Sequence, residues 1–252
     1  MMLRSISAHL RVAPPDLLLR GMPPAAASPA SSSANRNSST GAHVPKDPVV
    51  AAGGLAGYAL ALAEGSVTAA GATQAYLARI AALDGKLQCF EHVAMDAAMT
   101  QAADTDSAAL GDGGCPGLRG VPIGVKDIIA ISGMPVTCGS ALEDLGVLDI
   151  SSLVGPEGSF VQSLRAAGVI FLGKTKTVEF ASGGLGINLV RGTPWNPADL
   201  RIHRTPGGSS SGSAAGVAAG LCALAIGTGT HLCDSDSLTR YLSLSLADRL
   251  TR

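Results

Sequence analysis

The chain of 252 residues is long enough for one domain or two small ones, and 46% of its residues are hydrophobic although only 3% are aromatic. Its formal net charge of −1 provides no basic field, so direct binding of nucleic acid is not expected. Five cysteines without a Cys-X-X-Cys spacing favour a reduced compartment and argue against a zinc site. No apolar run approaches the roughly 18 residues of a membrane-spanning helix.

Residues 1–48 differ in composition from the rest of the chain. They carry five basic residues against two acidic ones, and the tract from Pro23 to Thr40 is rich in proline, alanine and serine. This composition is typical of an organellar transit peptide, while a disordered leader or an upstream start before Met22 is the alternative. We therefore expect a dispensable leader and a cytoplasmic or organellar (mitochondrial or plastid) location.

From Val49 onward the hydrophobic pattern predicts alternating helices and strands. The first half is predicted to contain helices over 54–64 and 68–83, a strand over 89–93, a helix over 94–110, a loop over 111–117 and a strand over 121–125. The second half is predicted to contain a helix over 159–167, a strand over 169–172, a helix-like turn over 173–181, a helix over 213–219 and a strand over 221–226. This alternation indicates an α/β architecture in which helices cover a sheet.

Three lysines follow predicted strands. A lysine in this position is usually solvated, and we expect this of Lys174 and Lys176. Lys126 differs because it ends the apolar strand Val121–Val125. In a partly dry pocket its pKa would fall from ~10.4 toward neutrality, and the amine would then act as a base.

A glycine-serine loop, Gly207-Gly-Ser-Ser-Ser-Gly-Ser213, precedes a small-residue helix. A flexible linker is one interpretation, although the tract is short and sits between Pro206 and that helix. A phosphate-binding loop is another, but the Gly-Lys-Ser/Thr ending and the Gly-X-Gly-X-X-Gly pattern are absent, as is a Gly-X-Ser-X-Gly nucleophile elbow. The five histidines show neither metal-ligand spacing nor a Ser-His-Asp partner pattern, so neither a metal nor such a triad is expected.

Four blocks in order resemble the amidase signature family of serine hydrolases, and the resemblance extends from about Leu62 to Thr230. The blocks are Leu118-Arg-Gly-Val-Pro-Ile-Gly-Val-Lys-Asp127, Leu172-Gly-Lys-Thr-Lys-Thr-Val-Glu-Phe-Ala181, Gly192-Thr-Pro-Trp-Asn-Pro197 and Pro206-Gly-Gly-Ser-Ser-Ser-Gly-Ser-Ala-Ala-Gly-Val-Ala-Ala-Gly220. The resemblance implies a mixed β-sheet covered by helices on both faces. It also implies hydrolysis of a carbon–nitrogen bond in a small-molecule amide, without cofactor or metal.

The resemblance further implies a Ser-cisSer-Lys triad. Lys126 matches the family's base, and Ser209 matches the bridging serine that follows a cis peptide bond. Gly207, Gly208 and Ser210 are then expected to contact substrate.

The chain departs from the family after Thr230. The place that corresponds to the family's nucleophile is occupied by Cys233, and Gly229, His231 and Leu232 replace an aspartate and two glycines. Those glycines would supply oxyanion-hole amides, each worth roughly 2.7–4 kcal/mol in comparable enzymes. We therefore predict an incomplete, inactive N-terminal portion of an amidase domain over 49–230, followed by an atypical tail over 231–252.

Two alternatives stay open at this point. One is the A subunit of a glutamine-dependent aminoacyl-tRNA amidotransferase, which uses the same motifs to release ammonia. The other is a non-catalytic truncated protein that keeps the first half of the fold for binding. A frameshift, alternative splicing or a gene-model error after Thr230 would explain the tail. The sequence does not define the oligomeric state.

Overall fold

The structure is a computed structural model that describes residues 44–108 and 117–228. Most of the predicted leader, most of the predicted 111–117 loop and the predicted tail over 231–252 lie outside the described residues. Among the helices of residues 44–108 and 117–228, none combines the length and the apolar character needed to cross a membrane.

The described elements alternate as an α/β chain. In order they are α1 (Pro48–Ala51), α2 (Leu55–Ala63), α3 (Ala69–Leu87), β1 (Phe90–Val93), α4 (Met95–Ser107), β2 (Pro122–Lys126), α5 (Ile150–Val154), α6 (Ser159–Ala166), β3 (Ile170–Thr175), a 3-10 turn (Glu179–Ala181), α7 (Ser211–Ala218) and β4 (Leu224–Ile226). The predicted helices and strands are therefore present, with bounds that shift by one to four residues.

The four strands form one mixed sheet in the order β1-β3-β2-β4. Strand β2 is parallel to both β3 and β4, whereas β1 is antiparallel to β3. The mixed α/β architecture is thus confirmed. Because the carboxyl ends of parallel strands meet at one edge of a sheet, the last residues of β2, β3 and β4 lie together there.

The predicted turn over 173–181 is wrong in its first part. Gly173, Lys174 and Thr175 continue β3 and pair with Gly124, Val125 and Lys126 of β2. The apolar run ends at Leu172, so the pattern alone suggested that the strand ended there. The strand continues because its polar side chains find buried partners.

Small side chains allow the helices to pack closely on the sheet. Ala98 and Ala102 of α4 are completely buried, and α4 packs against β3. Helix α7 packs against β2, β3 and β4 through residues such as Ala215. In β2, a Cβ atom at Gly124 would lie only 2.7 Å from the Thr175 methyl group, so this position requires glycine. The low aromatic content of the chain suits this close packing.

Residues 44–48, which the sequence analysis assigned to the leader, are packed onto the fold. The Asp47 carboxylate accepts hydrogen bonds from the Val49 amide at 2.9 Å and from the Tyr76 hydroxyl at 2.8 Å. The Pro45 carbonyl accepts a hydrogen bond from Arg79 Nη1 at 2.6 Å. The composition of this segment is leader-like, but its contacts with α3 belong to the folded domain.

Candidate active site

Lys126 ends β2 and is completely buried. Its backbone pairs with Thr175 of β3, and the preceding Val125 pairs with Ile226 of β4. Its amine donates hydrogen bonds to Ser209 Oγ at 2.6 Å and to Thr228 Oγ1 at 2.8 Å. The predicted contact between Lys126 and Ser209 is therefore confirmed, although 83 residues separate them in sequence.

Ser209 lies in the loop that leads into α7, and the Gly208–Ser209 peptide bond is cis, as the resemblance implied. The Ser209 carbonyl accepts hydrogen bonds from the Val178 amide and from Thr177 Oγ1, both at 3.1 Å. These bonds fix the backbone of the serine against the segment that follows β3. They leave the Ser209 hydroxyl facing the Lys126 amine.

Close backbone packing explains the glycine before Ser209. A Cβ atom at Gly208 would lie 2.6 Å from the nitrogen of Gly186, so a larger residue would push the two loops apart. Gly207 has φ 83°, in the left-handed region that favours glycine. Both glycines therefore shape the loop, and their predicted contacts with substrate stay predictions.

Ser210 and Thr228 connect the serine loop to the segment after β4. Ser210 Oγ donates to the Thr228 carbonyl and accepts from the Thr228 amide, each at 3.1 Å. Thr228 in turn receives the second hydrogen bond of Lys126. The predicted contact of Ser210 with substrate remains a prediction, since the observed contacts of its hydroxyl are with Thr228.

The environment of Lys126 favours a neutral amine. Burial lowers the pKa of Lys126 from 10.5 to about 8, because the protein interior solvates the ammonium poorly. Within the described ranges, its amine forms no ion pair and its hydrogen-bond partners are two hydroxyls. A substantial fraction of the amine is therefore unprotonated near neutral pH, as a base requires.

The prediction that Lys174 and Lys176 are solvated is wrong. Lys174 is completely buried, and its amine lies 2.8 Å from the Asp127 carboxylate. Lys176 is largely buried, donates a hydrogen bond to the Arg191 carbonyl and lies 4.0 Å from Glu91. Sequence position suggested solvated strand ends, but long-range partners hold both amines inside the protein.

Three further residues organise the site and were not assigned a role from the sequence. Thr228 contacts Lys126, Thr177 contacts Ser209, and Asn188 donates to the carbonyls of Gly139 and Thr177 at 2.8 and 2.9 Å. Thr228 follows β4 within the glycine-threonine segment, so the strand order would have indicated it. No sequence signal marked Asn188.

The position predicted to carry the nucleophile, Cys233, lies outside the described residues, as do Gly229, His231 and Leu232. Across residues 44–108 and 117–228, no group of three histidine, cysteine, aspartate or glutamate side chains is arranged to hold a metal ion. The described site thus consists of a buried lysine, a serine hydroxyl and the loops that hold them.

Comparison with known proteins agrees with this geometry. The model of the family described as Amidase matches residues 71–231. Proteins named as the A subunit of glutamyl-tRNA(Gln) amidotransferase are similar: that of Corynebacterium jeikeium is 40% identical over 160 residues, which is 63% of this chain and 30% of the relative. That of Rhodococcus erythropolis is 42% identical over 160 residues, which is 63% of this chain and 31% of the relative. The chain therefore spans about a third of the length of these relatives.

Solved structures give the same result. The native peptide amidase from Stenotrophomonas maltophilia is 35% identical, with a TM-score of 0.59 over 70% of this chain and 36% of that one. An amidase family protein from Bacillus anthracis is 26% identical, with a TM-score of 0.59 over 70% of this chain and 35% of that one. Since the family model matches more than half of its residues, this chain belongs to the amidase family.

Proposed function

We propose that Lys126 and Ser209 form the proton-relay part of a site for hydrolysing the carbon–nitrogen bond of an amide. The observation that carries this proposal is the 2.6 Å hydrogen bond between a buried lysine amine and the Ser209 hydroxyl. The lowered pKa of Lys126, about 8, supports its role as a base. Membership of the amidase family supports the reaction class.

In the proposed reaction, the neutral Lys126 amine takes the proton of the Ser209 hydroxyl. Ser209 at the same time takes a proton from the hydroxyl of a nucleophilic side chain, whose oxygen attacks the amide carbonyl carbon. The carbon–nitrogen bond breaks, the relay returns a proton to the departing amine, and an acyl-enzyme remains. Water, deprotonated through the same relay, then releases the carboxylic acid.

We further propose that this chain hydrolyses amides negligibly. The segment expected to provide the nucleophile and the oxyanion hole carries Gly229, His231, Leu232 and Cys233. His231 and Leu232 lack the conformational freedom of the two glycines they replace. Loss of a single oxyanion-hole donor costs roughly 100- to 1,000-fold in kcat in comparable enzymes.

A restored chimera tests both statements. It carries Gly229→Asp, His231→Gly, Leu232→Gly and Cys233→Ser, and the corresponding part of the Rhodococcus erythropolis relative replaces residues 234–252. We expect the chimera, but not the unmodified chain, to release ammonia from simple primary amides. In the chimera, Lys126→Ala and Ser209→Ala should each abolish turnover, whereas Lys86→Ala, at a partly exposed position near the end of α3, should not.

Two results would contradict the proposal. One is turnover by the unmodified chain that Cys233→Ala abolishes, which would make Cys233 a nucleophile. The other is a chimera whose activity survives Ser209→Ala. An unmodified chain that is folded and inactive, beside a chimera that is folded and inactive, would favour the non-catalytic alternative.

The second candidate function is the release of ammonia from glutamine as one component of an amidotransferase. It is favoured by the names of the relatives, several of which are called the A subunit of glutamyl-tRNA(Gln) amidotransferase at about 40% identity. The same chimera distinguishes the two candidates when glutamine and simple amides are compared as substrates. Preferential hydrolysis of glutamine would support the amidotransferase type, and preference for simple amides would support a general amidase.

A further inference from the structure

A buried ion pair lies beside the candidate base. The Asp127 carboxylate, which directly follows Lys126, accepts from the Lys174 amine at 2.8 Å. Its other oxygen accepts from the Thr137 amide at 3.0 Å and from the Thr137 hydroxyl at 2.5 Å. The side chains of Asp127 and Lys174 are 1% and 0% exposed, so solvent screens neither charge.

This arrangement decides which lysine the carboxylate stabilises. A buried carboxylate close to Lys126 would favour the ammonium form and raise the pKa of that lysine, because opposite charges attract strongly in a poorly polarisable interior. Asp127 instead forms its ion pair with Lys174 of β3. Burial is accordingly the cause of the lowered pKa of Lys126.

The other charged groups around β2 also have partners of their own. Lys176 lies near Glu91 of β1, and Glu91 also pairs with Arg191 at 3.1 Å. On α3, Asp84 accepts from the amides of Cys89 and Phe90, and Arg79 donates to the carbonyls of Ala219 and Gly220. Burial and the Asp127 carboxylate raise the pKa of the Cys138 thiol, which keeps it uncharged. Helix α7 and strand β4 contain no titratable side chain.

We propose that Lys174 is a positioning residue for Lys126: it neutralises the Asp127 carboxylate and so leaves the Lys126 amine with hydroxyl partners and free to act as a base. This inference rests on the proposed role of Lys126. It adds that the relay depends on a second lysine that touches neither Ser209 nor the reacting atoms.

The titration of Lys126 tests this role directly. The chain contains five lysines, so [13Cε]lysine labelling gives five resonances, and Lys126→Arg identifies that of Lys126. We expect Lys174→Met to raise the Lys126 titration midpoint by about one pH unit, since the unpaired carboxylate then favours the ammonium. Asp127→Asn should lower the midpoint, since the unpaired Lys174 ammonium disfavours a second positive charge.

Two further variants serve as controls. Lys176→Met removes a lysine two positions away whose ion pair is with Glu91, and it should leave the Lys126 midpoint within about 0.3 pH unit of the unmodified chain. The double variant Asp127→Asn/Lys174→Met removes both charges and should restore the original midpoint. A purely structural role for Lys174 would not produce shifts of opposite sign that cancel.

An unchanged midpoint in folded Lys174→Met, or a midpoint in Asp127→Asn that is equal to or above that of the unmodified chain, would overturn the inference. If Lys174→Met does not fold, the double variant, which buries no lone charge, is compared with Asp127→Asn, and the same rise between them is expected. Because the readout is titration rather than turnover, an inactive chain still gives a decision. Failure of the proposed hydrolysis is therefore distinguishable from failure of this inference.

Discussion

At the scale of single residues, the main feature is a lysine whose charge is disfavoured by the fold. The pKa of Lys126 falls from 10.5 to about 8 on folding because of burial. Below about pH 8 the amine is charged in both the folded and the unfolded chain, so the full penalty of burying a charge is present. As the pH rises from 8 toward 10.5, the folded chain has lost its proton while the unfolded chain still binds one, and the penalty is progressively lost.

This linkage predicts how Lys126→Met changes stability with pH. Relative to the variant, the unmodified chain should gain free energy of unfolding as the pH rises from about 8 toward 10.5, because the variant has no amine to deprotonate. The difference between the two should be constant below pH 7. Urea denaturation of both chains at pH 6, 7, 8, 9 and 10 measures it, and a difference that is flat across this range would contradict the assigned pKa shift.

The residues that could be predicted from sequence are those within contiguous motifs. Lys126 and Ser209 each belong to a block with a recognisable local pattern, and the structure brings them together. Lys174 was misassigned because its burial depends on Asp127, which lies 47 residues away on another strand. Asn188 was missed for the same reason, since its importance comes from three loops that meet only after folding.

At the scale of elements, the position of the serine loop depends on both ends of α7. At the N-terminal end, Ser213 Oγ lies 2.6 Å from Thr175 Oγ1 and donates to the Ile226 carbonyl at 3.0 Å. At the C-terminal end, Arg79 of α3 donates to the carbonyls of Ala219 at 2.9 Å and Gly220 at 2.5 Å. The helix is thus anchored to two strands and to another helix. The pattern of small residues predicted α7 itself, but an arginine on the face of α3 gave no sign of this contact.

Arg79→Met tests this anchor. The variant keeps much of the side-chain volume but leaves three carbonyls, of Pro45, Ala219 and Gly220, without the guanidinium donor. We expect a loss of about 3 kcal/mol in the free energy of unfolding, measured by urea denaturation, because buried carbonyls without partners are costly. Arg165→Met is the matched control, since Arg165 forms a solvent-exposed ion pair with Glu157 and should lose at most about 1 kcal/mol. Equal losses in the two variants would rule out the anchoring role.

At the scale of the whole molecule, the sequence placed the start of the domain a few residues too late. Composition changes near Val49, but the contacts of Asp47 with Tyr76 and of Pro45 with Arg79 extend the fold to residue 44 at least. Composition reports where the chain becomes apolar. It does not report where single polar contacts join a proline- and lysine-containing segment to a helix.

Two truncations separate these boundaries. A chain that begins at Val44 keeps the Asp47 cap of α1, the Asp47–Tyr76 hydrogen bond and the Pro45–Arg79 hydrogen bond, and it should unfold at the same urea midpoint as the full chain. A chain that begins at Val49 loses all three and leaves the Tyr76 hydroxyl and one Arg79 donor without partners. It should lose about 2–4 kcal/mol in the free energy of unfolding, from the helix cap and the buried polar groups together. Equal midpoints for the two truncated chains would show that residues 44–48 contribute nothing, and a lower midpoint for the chain beginning at Val44 than for the full chain would show that residues 1–43 are not dispensable.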